Sequence, residues 1–491
     1  MLKIFVSLFW FLILTKLFIF WVWLWQLKEY RIARVKDHFR AQKIKKIAFG
    51  LHGIRYPKLT KKTSVILISG IFFEFLALFY IFPFQGYFFY LILLVSIILA
   101  PLIFSLFILF FQIPSVVLKN RIFKKAKEKI EQRKNLLVIA VAGSYGKTST
   151  KEFLATILEE KFKVLKTPEH QNTDYGIANC ILNRLTDEHQ IFIAETAAYG
   201  LGEITKPCQM IHPKIGILTG INEQHLSLFG SMENIVNAKF ELIENLPEQG
   251  IAILNWDNEF IKSKVKSQTL KTKDINLKFC SAQGKADIWA ENILIEKEKI
   301  SFKVFSKDGN SYDFHLNLLG RQNIENILLA ICCAQELGMS LQAISEACAK
   351  IHSEQAGTKI LKTNNLTILD ASYSANPYGV IADLDYLKIY QEKKIIVMPS
   401  LIELGQASEQ AHRAIGEKIA QVCDLAIITT KDNFKEIKTG ALKANMNPEN
   451  ILLIEDVPEI VQKMNSFCKK EQADCVILLE GRVPQQLIKK L

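Results

Sequence analysis

Three long apolar stretches open the chain, and a different rhythm follows them. Residues 4–26 are apolar except for Lys16 and a few weakly polar groups. Residues 64–84 are interrupted only by Glu74, and residues 87–113 carry Pro101 near their middle. About 20 such residues span the hydrocarbon core of a bilayer, so each stretch predicts a transmembrane helix. A cleavable signal peptide would have a shorter apolar core and a small-residue cleavage site, and the first stretch has neither. Pro101 predicts a kink, or a break into two half-helices. Glu74 and Lys16 are charges at depth, which are costly there. They are either functional groups or simply neutralised by a proton or a partner.

Beyond residue 135 short buried strands alternate with amphipathic segments. Residues 136–142 (LLVIAVA) read as a fully buried strand, followed by a Gly-rich turn and a helix from about Thr148 to Glu160. Residues 191–194 and 215–219 repeat the strand-then-polar-loop pattern. Residues 251–315 read as strand-rich, and 323–350 as two helices. After a boundary near 353–358, strands at 366–370, 394–398, 424–429, 451–454 and 474–479 alternate with helices. The predicted fold class is α/β: transmembrane helices at the N-terminus, a P-loop-type central domain, then a C-terminal Rossmann-like α/β domain, with active-site loops at strand ends. The predicted divisions are 1–135, 136–353 and 354–491.

Charge sharpens this picture. Residues 1–135 hold 22 of the 61 Lys+Arg and 5 of the 49 Asp+Glu, while the rest of the chain carries 39 basic and 44 acidic side chains. The net +12 therefore belongs to the membrane-proximal third, and a nucleic-acid-binding body is excluded. Basic loops at 27–62 and 119–134 place both in the cytoplasm, with the N-terminus outside and residues 119–491 inside. The predicted location is the cytoplasmic membrane, multi-pass, with the basic stretches acting as topology determinants or as contacts to membrane lipids. The nine Cys show no CxxC pair, which predicts reduced, buried thiols rather than a disulfide framework or zinc site.

The strongest motif is GSYGKT, residues 143–148, between the buried strand and the helix. Backbone N–H groups there can wrap a polyphosphate, with Lys147 reaching the terminal phosphates and Thr148 binding Mg²⁺. The first Gly of the usual GxxxxGK[ST] pattern is Val141, so a plain tight turn is the alternative. Glu195, His225 and Lys239 stand where metal or phosphate ligands would be useful, and each also has an ordinary reading as a cap, a packed loop histidine or a solvated lysine.

Taken together, GSYGKTSTKE, HQNTDYGIANCILNRL, AETAAYGLGEI, LTGINEQHLSLFGSMENIVNAKFEL, LNWDN, LLGRQNIENILLAICCA, LDASYSANP and IELGQASEQAH resemble the ATP-dependent Mur ligases over about residues 136–491. The nearest branch adds D-alanyl-D-alanine to the peptidoglycan precursor tripeptide. The resemblance implies ATP and Mg²⁺ as cofactors, with Gly143, Ser144, Gly146, Lys147, Thr148 and Ser149 around the nucleotide phosphates. It implies Thr148, Glu195 and His225 as metal ligands, and Lys239 as the lysine that many members carbamylate, with Lys147, His225 and Lys239 as the catalytic set. Asn323 and Asn326 match the pair beside adenine, and Asp370 and Tyr373 match the C-terminal nucleotide motif. Asn172 and Thr173 fall in the loop that meets the uridine-linked substrate, and Glu403 and His412 in the run that helps place the incoming amine.

The chain also departs from the pattern. The His of GxHNxxN is Gln322, DDSYNANP reads with Ala371 and Ser374, a GR pair reads Gly357-Thr358, and the Gly of E-x-G-A is Ala197. Membrane helices stand in place of the domain that grips the uridine nucleotide. The implied reaction is amide-bond formation through an acyl phosphate, joining D-alanyl-D-alanine to a nucleotide-linked or lipid-linked muramyl peptide. A non-catalytic membrane scaffold is the rival.

Overall fold

A computed structural model describes residues 1–491 except 29, 31, 33–34, 36–55, 170, 268–273, 363–365, 373–374, 472–473 and 491. Much of the basic 27–62 loop thus lies outside the described residues. The chain divides into two compact units, Met1–Arg121 and Ile122–Leu491.

In the first unit, helices α1 (Leu2–Leu27), α2 (Lys61–Ile81) and α3 (Gly86–Phe110) are long and apolar enough to cross a membrane. Pro101 lies inside α3, which is one helix rather than two halves. Helix α1 packs on both others. Phe18 fills the space left by Gly70, where a Cβ would come within 2.1 Å of the ring. Trp10 donates to the Leu93 carbonyl and Ser96, and Trp25 to Ser105, so polar handles at the interface are matched. Lys3 donates to the carbonyls of Phe82 and Phe84, placing the start of α1 beside the α2–α3 turn. The two charges at depth differ: Glu74 is buried and accepts from Thr15 Oγ1 at 2.8 Å, while Lys16 faces outward. Helix α4 (Ile113–Glu131) follows, and its Ala126 and Ile130 belong to the core of the second unit.

The second unit holds two sheets. The first contains β1 (Leu137–Ala142), β2 (Val164–Lys166), β3 (Ile191–Glu195), β4 (Ile215–Leu218), β5 (Ile251–Asn255), β6 (Asn276–Ser281), β7 (Ile288–Ile295), β8 (Ile300–Ser306) and β9 (Ser311–Leu316). Their order is β2-β3-β1-β4-β5-β6-β7-β8-β9, parallel as far as β7 and antiparallel from β7 to β9. The inner strands are apolar on both faces because helices cover both. On one side α5 (Lys147–Leu158) packs into the core; on the other lie α6 (Asp174–Arg184) and α7 (Met232–Glu244). Helix α8 (Gln322–Glu336) joins α5 on its face.

The second sheet contains β10 (Lys359–Lys362), β11 (Leu366–Ala371), β12 (Lys393–Met398), β13 (Leu425–Ile428), β14 (Ile451–Leu453) and β15 (Cys475–Glu480), in the order β10-β11-β15-β12-β13-β14. All pairs are parallel except β10–β11. Helices α9 (Pro377–Leu387) and α10 (Ser408–Val422) cover one face. The expectation of reduced thiols throughout is corrected here: Cys468 and Cys475 are joined in a disulfide, and the other seven cysteines are free and buried. The two cysteines are seven residues apart, and the fold returns the chain from the helix Val457–Glu471 directly into β15.

Asp383 on α9 and Glu480 at the end of β15 face each other in this domain, and burial raises both carboxyls, Asp383 to about 6. Two such acids hold a proton between them in the folded state and release it on unfolding. Their contribution to stability is present below the ordinary carboxylate range and is lost as pH rises through about 6. Thermal unfolding from pH 5 to 8 is expected to show falling stability. Glu480→Gln, whose amide donates without a titrating proton, is expected to flatten that slope.

Candidate active site

Parallel pairing brings three strand ends together. Val141 on β1 is in register with Glu195 on β3, and Ala142 with Leu218 on β4. The loops leaving these strands carry GSYGKT, Glu195 and residues 219–225. Gly143 (φ 152°) and Gly146 (φ 73°) shape the first loop. Added Cβ atoms there would approach Thr219 Oγ1 to 2.1 Å and Asn326 Oδ1 to 2.2 Å, so both places demand glycine. Helix α5 starts straight after Gly146 with no side-chain cap. Its first N–H groups are therefore available to an anion. Lys147 Nζ lies 3.1 Å from the Ser144 carbonyl oxygen; burial lowers its pKa, and Glu195 opposes that.

Glu195 is the hub. Its Oε2 accepts from Thr148 Oγ1 at 3.0 Å and sits 3.4 Å from Lys151 Nζ, and its Oε1 accepts from Asn172 Nδ2 at 3.0 Å. Burial alone would raise this carboxyl. Lys147 and Lys151, with the two hydrogen bonds, outweigh burial and hold it below the usual carboxylate range.

His225, Lys239 and Glu403 form a second group. His225 adopts a left-handed backbone (φ 64°), and its Nδ1 is 2.5 Å from Glu403 Oε2. Burial lowers its pKa more than Glu403 raises it, with Lys239 and Lys147 adding to the lowering, so the ring is neutral at physiological pH. Lys239 on α7 is 3 % exposed and donates to the Ala198 carbonyl at 3.3 Å. Burial, with Lys147 nearby, lowers it to about 7. The solvated reading of Lys239 is thereby excluded.

A cleft beside the phosphate loop is lined by Tyr145, Gly146, Ser149, Asn323 and Asn326, and across it by Thr358, Ala371, Asn376, Tyr378 and Asp383. Asn323 donates to the Leu319 carbonyl, and Asn326 reaches Asn323 and Thr150, so the pair is fixed before any base arrives. Asp370 accepts from the Ser372 N–H next to Ala371. Tyr373 lies outside the described residues. Gln322, in place of His, donates to Asp383 Oδ1 at 3.1 Å.

His412 is fully buried: Nε2 accepts from the Leu401 N–H at 3.0 Å, and Nδ1 lies 2.6 Å from the Ser408 carbonyl. Both nitrogens are used, and the ring holds the 401–403 loop in place. Thr173 caps α6 through the Gly176 N–H, and Asn172 braces Glu195. Sequence reasoning missed Lys151, Tyr145 and Tyr378. The two tyrosine rings stack with centroids 4.4 Å apart, and Tyr378 donates to Glu325 at 2.6 Å. The signal available for Lys151 was its place one turn after Lys147, on the buried side of α5.

Gly146→Ala tests the loop. The added methyl meets Asn326 and the backbone strains, so nucleotide affinity is expected to fall at least about tenfold; titration with a fluorescent ADP analogue reads this out.

Two family profiles match the chain: the Mur ligase middle domain over residues 141–334, and the Mur ligase glutamate ligase domain over residues 358–482. The UDP-N-acetylmuramoyl-tripeptide--D-alanyl-D-alanine ligase of Escherichia coli (strain K12) is 30% identical over 308 residues, covering 62% of this chain and 67% of that protein. A MurF crystal structure from Acinetobacter baumannii superposes with a TM-score of 0.69 at 25% identity, covering 76% of this chain and 80% of that one. MurF from Thermotoga maritima, solved in complex with ADP, shares the fold with a TM-score of 0.66 at 24% identity, covering 76% and 82%. With its phosphate loop, buried carboxylate and recessed lysine on this scaffold, the chain belongs to the Mur ligase family of ATP-dependent peptide ligases.

Proposed function

We propose that this ligase adds D-alanyl-D-alanine to the tripeptide of a muramyl precursor, at the cytoplasmic face of a membrane that its first three helices cross. The observation that carries the reading is the convergence of Lys147, Thr148 and Glu195 with His225, Lys239 and Glu403 at adjoining strand ends.

Thr148 and Glu195 supply oxygen donors 3.0 Å apart, which suits Mg²⁺. Among the described residues no three His, Cys, Asp or Glu side chains gather into a metal cluster. Few protein ligands is the usual case for Mg²⁺, which keeps waters and takes substrate phosphates. Thr148 and Glu195 would hold one ion, and His225 with a carbamylated Lys239 a second. Bound there, the ions would neutralise charge on the phosphates during transfer.

The chain's own groups do the rest. Lys147 and the open N-terminus of α5 orient the γ-phosphate. The tripeptide carboxylate oxygen bonds to phosphorus as the bond to ADP breaks. The dipeptide's neutral amine then bonds to the acyl carbon as the carbon–oxygen bond to phosphate breaks, and its surplus proton leaves with the phosphate. Acyl transfer needs a dry site, and Tyr378, Asn376 and Glu403 would help exclude water through their contacts with the central domain. Glu403 is an acid beside His225, and its charge suits an incoming ammonium better than a phosphate. Asp370, next to the cleft-lining Ala371, and by motif alone Tyr373 would act on the nucleotide side. Lys239, near neutrality in its buried setting, presents free amine to CO₂ at physiological pH.

A second reading keeps the chemistry and changes the acceptor to a lipid-linked peptide. It is favoured by residues 1–140, which precede both family matches and contain the apolar helices.

Two measurements test these readings. Intact-mass analysis is expected to find one added CO₂ on Lys239, lost on acidification and absent in Lys239→Ala. Detergent-solubilised protein with ATP, Mg²⁺ and D-alanyl-D-alanine is expected to convert a muramyl tripeptide with matching ADP release, and to hydrolyse little ATP without the amine. Running uridine-linked and lipid-linked acceptors in parallel separates the two readings. No product from either, with Lys147→Ala unchanged from wild type, would return the scaffold reading.

A further inference from the structure

Lys151 is a buried charge that the mechanism above does not use. It lies on α5 four residues after Lys147 and is 0 % exposed. An ammonium has three N–H donors, and Nζ has three acceptors in reach. They are the Thr167 carbonyl at 2.9 Å, Glu152 Oε1 at 3.2 Å and Glu195 Oε2 at 3.4 Å. Glu152 has a second cation, Lys166, on its other oxygen. Thr167 is tied to the same place, since its Oγ1 accepts from the Glu195 N–H at 3.0 Å. Lys151 thus joins α5, the residue after β2 and the end of β3.

The consequence falls on one carboxylate. Glu195 Oε2 takes Thr148 and Lys151, while Oε1 takes Asn172. Two of these contacts come from α5 and the third from the loop before α6, so the carboxylate's aim is fixed from two sides. A carboxylate braced in this way meets a cation without reorganising.

We propose that Lys151 is a positioning residue that fixes the Glu195 carboxylate for the nucleotide's Mg²⁺, acting through Glu195 and not on the nucleotide itself. The inference rests on the metal reading given above for Glu195.

The test is a titration of a fluorescent ADP analogue into the full-length, detergent-solubilised protein, in EDTA and over a Mg²⁺ series. The proteins compared are wild type, Lys151→Met, Glu195→Gln and the double variant. Lys151→Met is expected to raise the Mg²⁺ needed for half-maximal tight binding about tenfold, and to leave the affinity in EDTA unchanged. The double variant is expected to be no worse than Glu195→Gln alone, because the lysine acts through the missing charge. Thermal unfolding checks folding. If Lys151→Met does not fold, Lys151→Gln keeps a donor for the Thr167 carbonyl and is read the same way. Equal weakening with and without Mg²⁺, or a full added loss on top of Glu195→Gln, overturns the proposal. A Glu195→Gln variant with wild-type Mg²⁺ dependence overturns the metal reading itself, and the inference with it.

Discussion

The site depends on keeping one carboxylate ionised where burial opposes it. Glu195 ends a strand buried along its whole length, and an isolated carboxylate there would take up a proton. Two lysines from one helix and two hydrogen-bond donors from separate elements prevent this. Their positions follow from sheet order. With β1 between β3 and β4, the phosphate loop leaves the sheet beside Glu195 on one side and beside the loop to His225 on the other. Crossover helices then carry the remaining groups to the same edge, the carboxyl ends of the parallel strands, where open α/β sheets gather ligands.

The C-terminal domain completes the site through contacts that are mostly polar. Asn222 donates to Asn376 at 2.8 Å, His225 meets Glu403, and Tyr145 stacks on Tyr378. Each is worth on the order of 1 kcal/mol, which suits an interface that opens for exchange and closes for chemistry. The stack is wedged further on the central side. A Cβ on Gly220 would come within 2.3 Å of the Tyr145 ring, so the phosphate-loop tyrosine has no room to swing back that way. Glu403 also has a left-handed backbone (φ 65°), and its carbonyl accepts from the Ser227 N–H at 3.1 Å. The loop is held in that shape from below by His412.

Elements with a strong period were legible in the sequence. The three apolar helices and the strands β1, β3 and β4 fall within a few residues of where pattern places them, and the phosphate loop sits between strand and helix as its glycines require. Strand β2, three residues long, and the edge strand β10 carry too little pattern to separate them from loop. Among site residues, motif order singles out Lys147, Thr148, Glu195, His225 and Lys239, and the fold brings them to one region. The contacts that hold them are not legible: the bonds of His412 to the Leu401 and Ser408 backbone and of Asn172 to Glu195 join residues that the sequence does not mark as partners. Lys151 looks like helix surface for the same reason: its partners at 167 and 195 meet it only through the sheet.

The loop of residues 172 and 173 is tied to the phosphate site. Asn172 donates to Glu195, and Thr173 caps α6 through the Gly176 N–H. Removing Asn172 from Glu195 to grip a nucleotide would loosen the carboxylate on which the phosphate site depends. The first unit carries a buried acid of its own: Glu74 accepts from Thr15, so α1 and α2 are joined by a polar contact as well as by apolar packing.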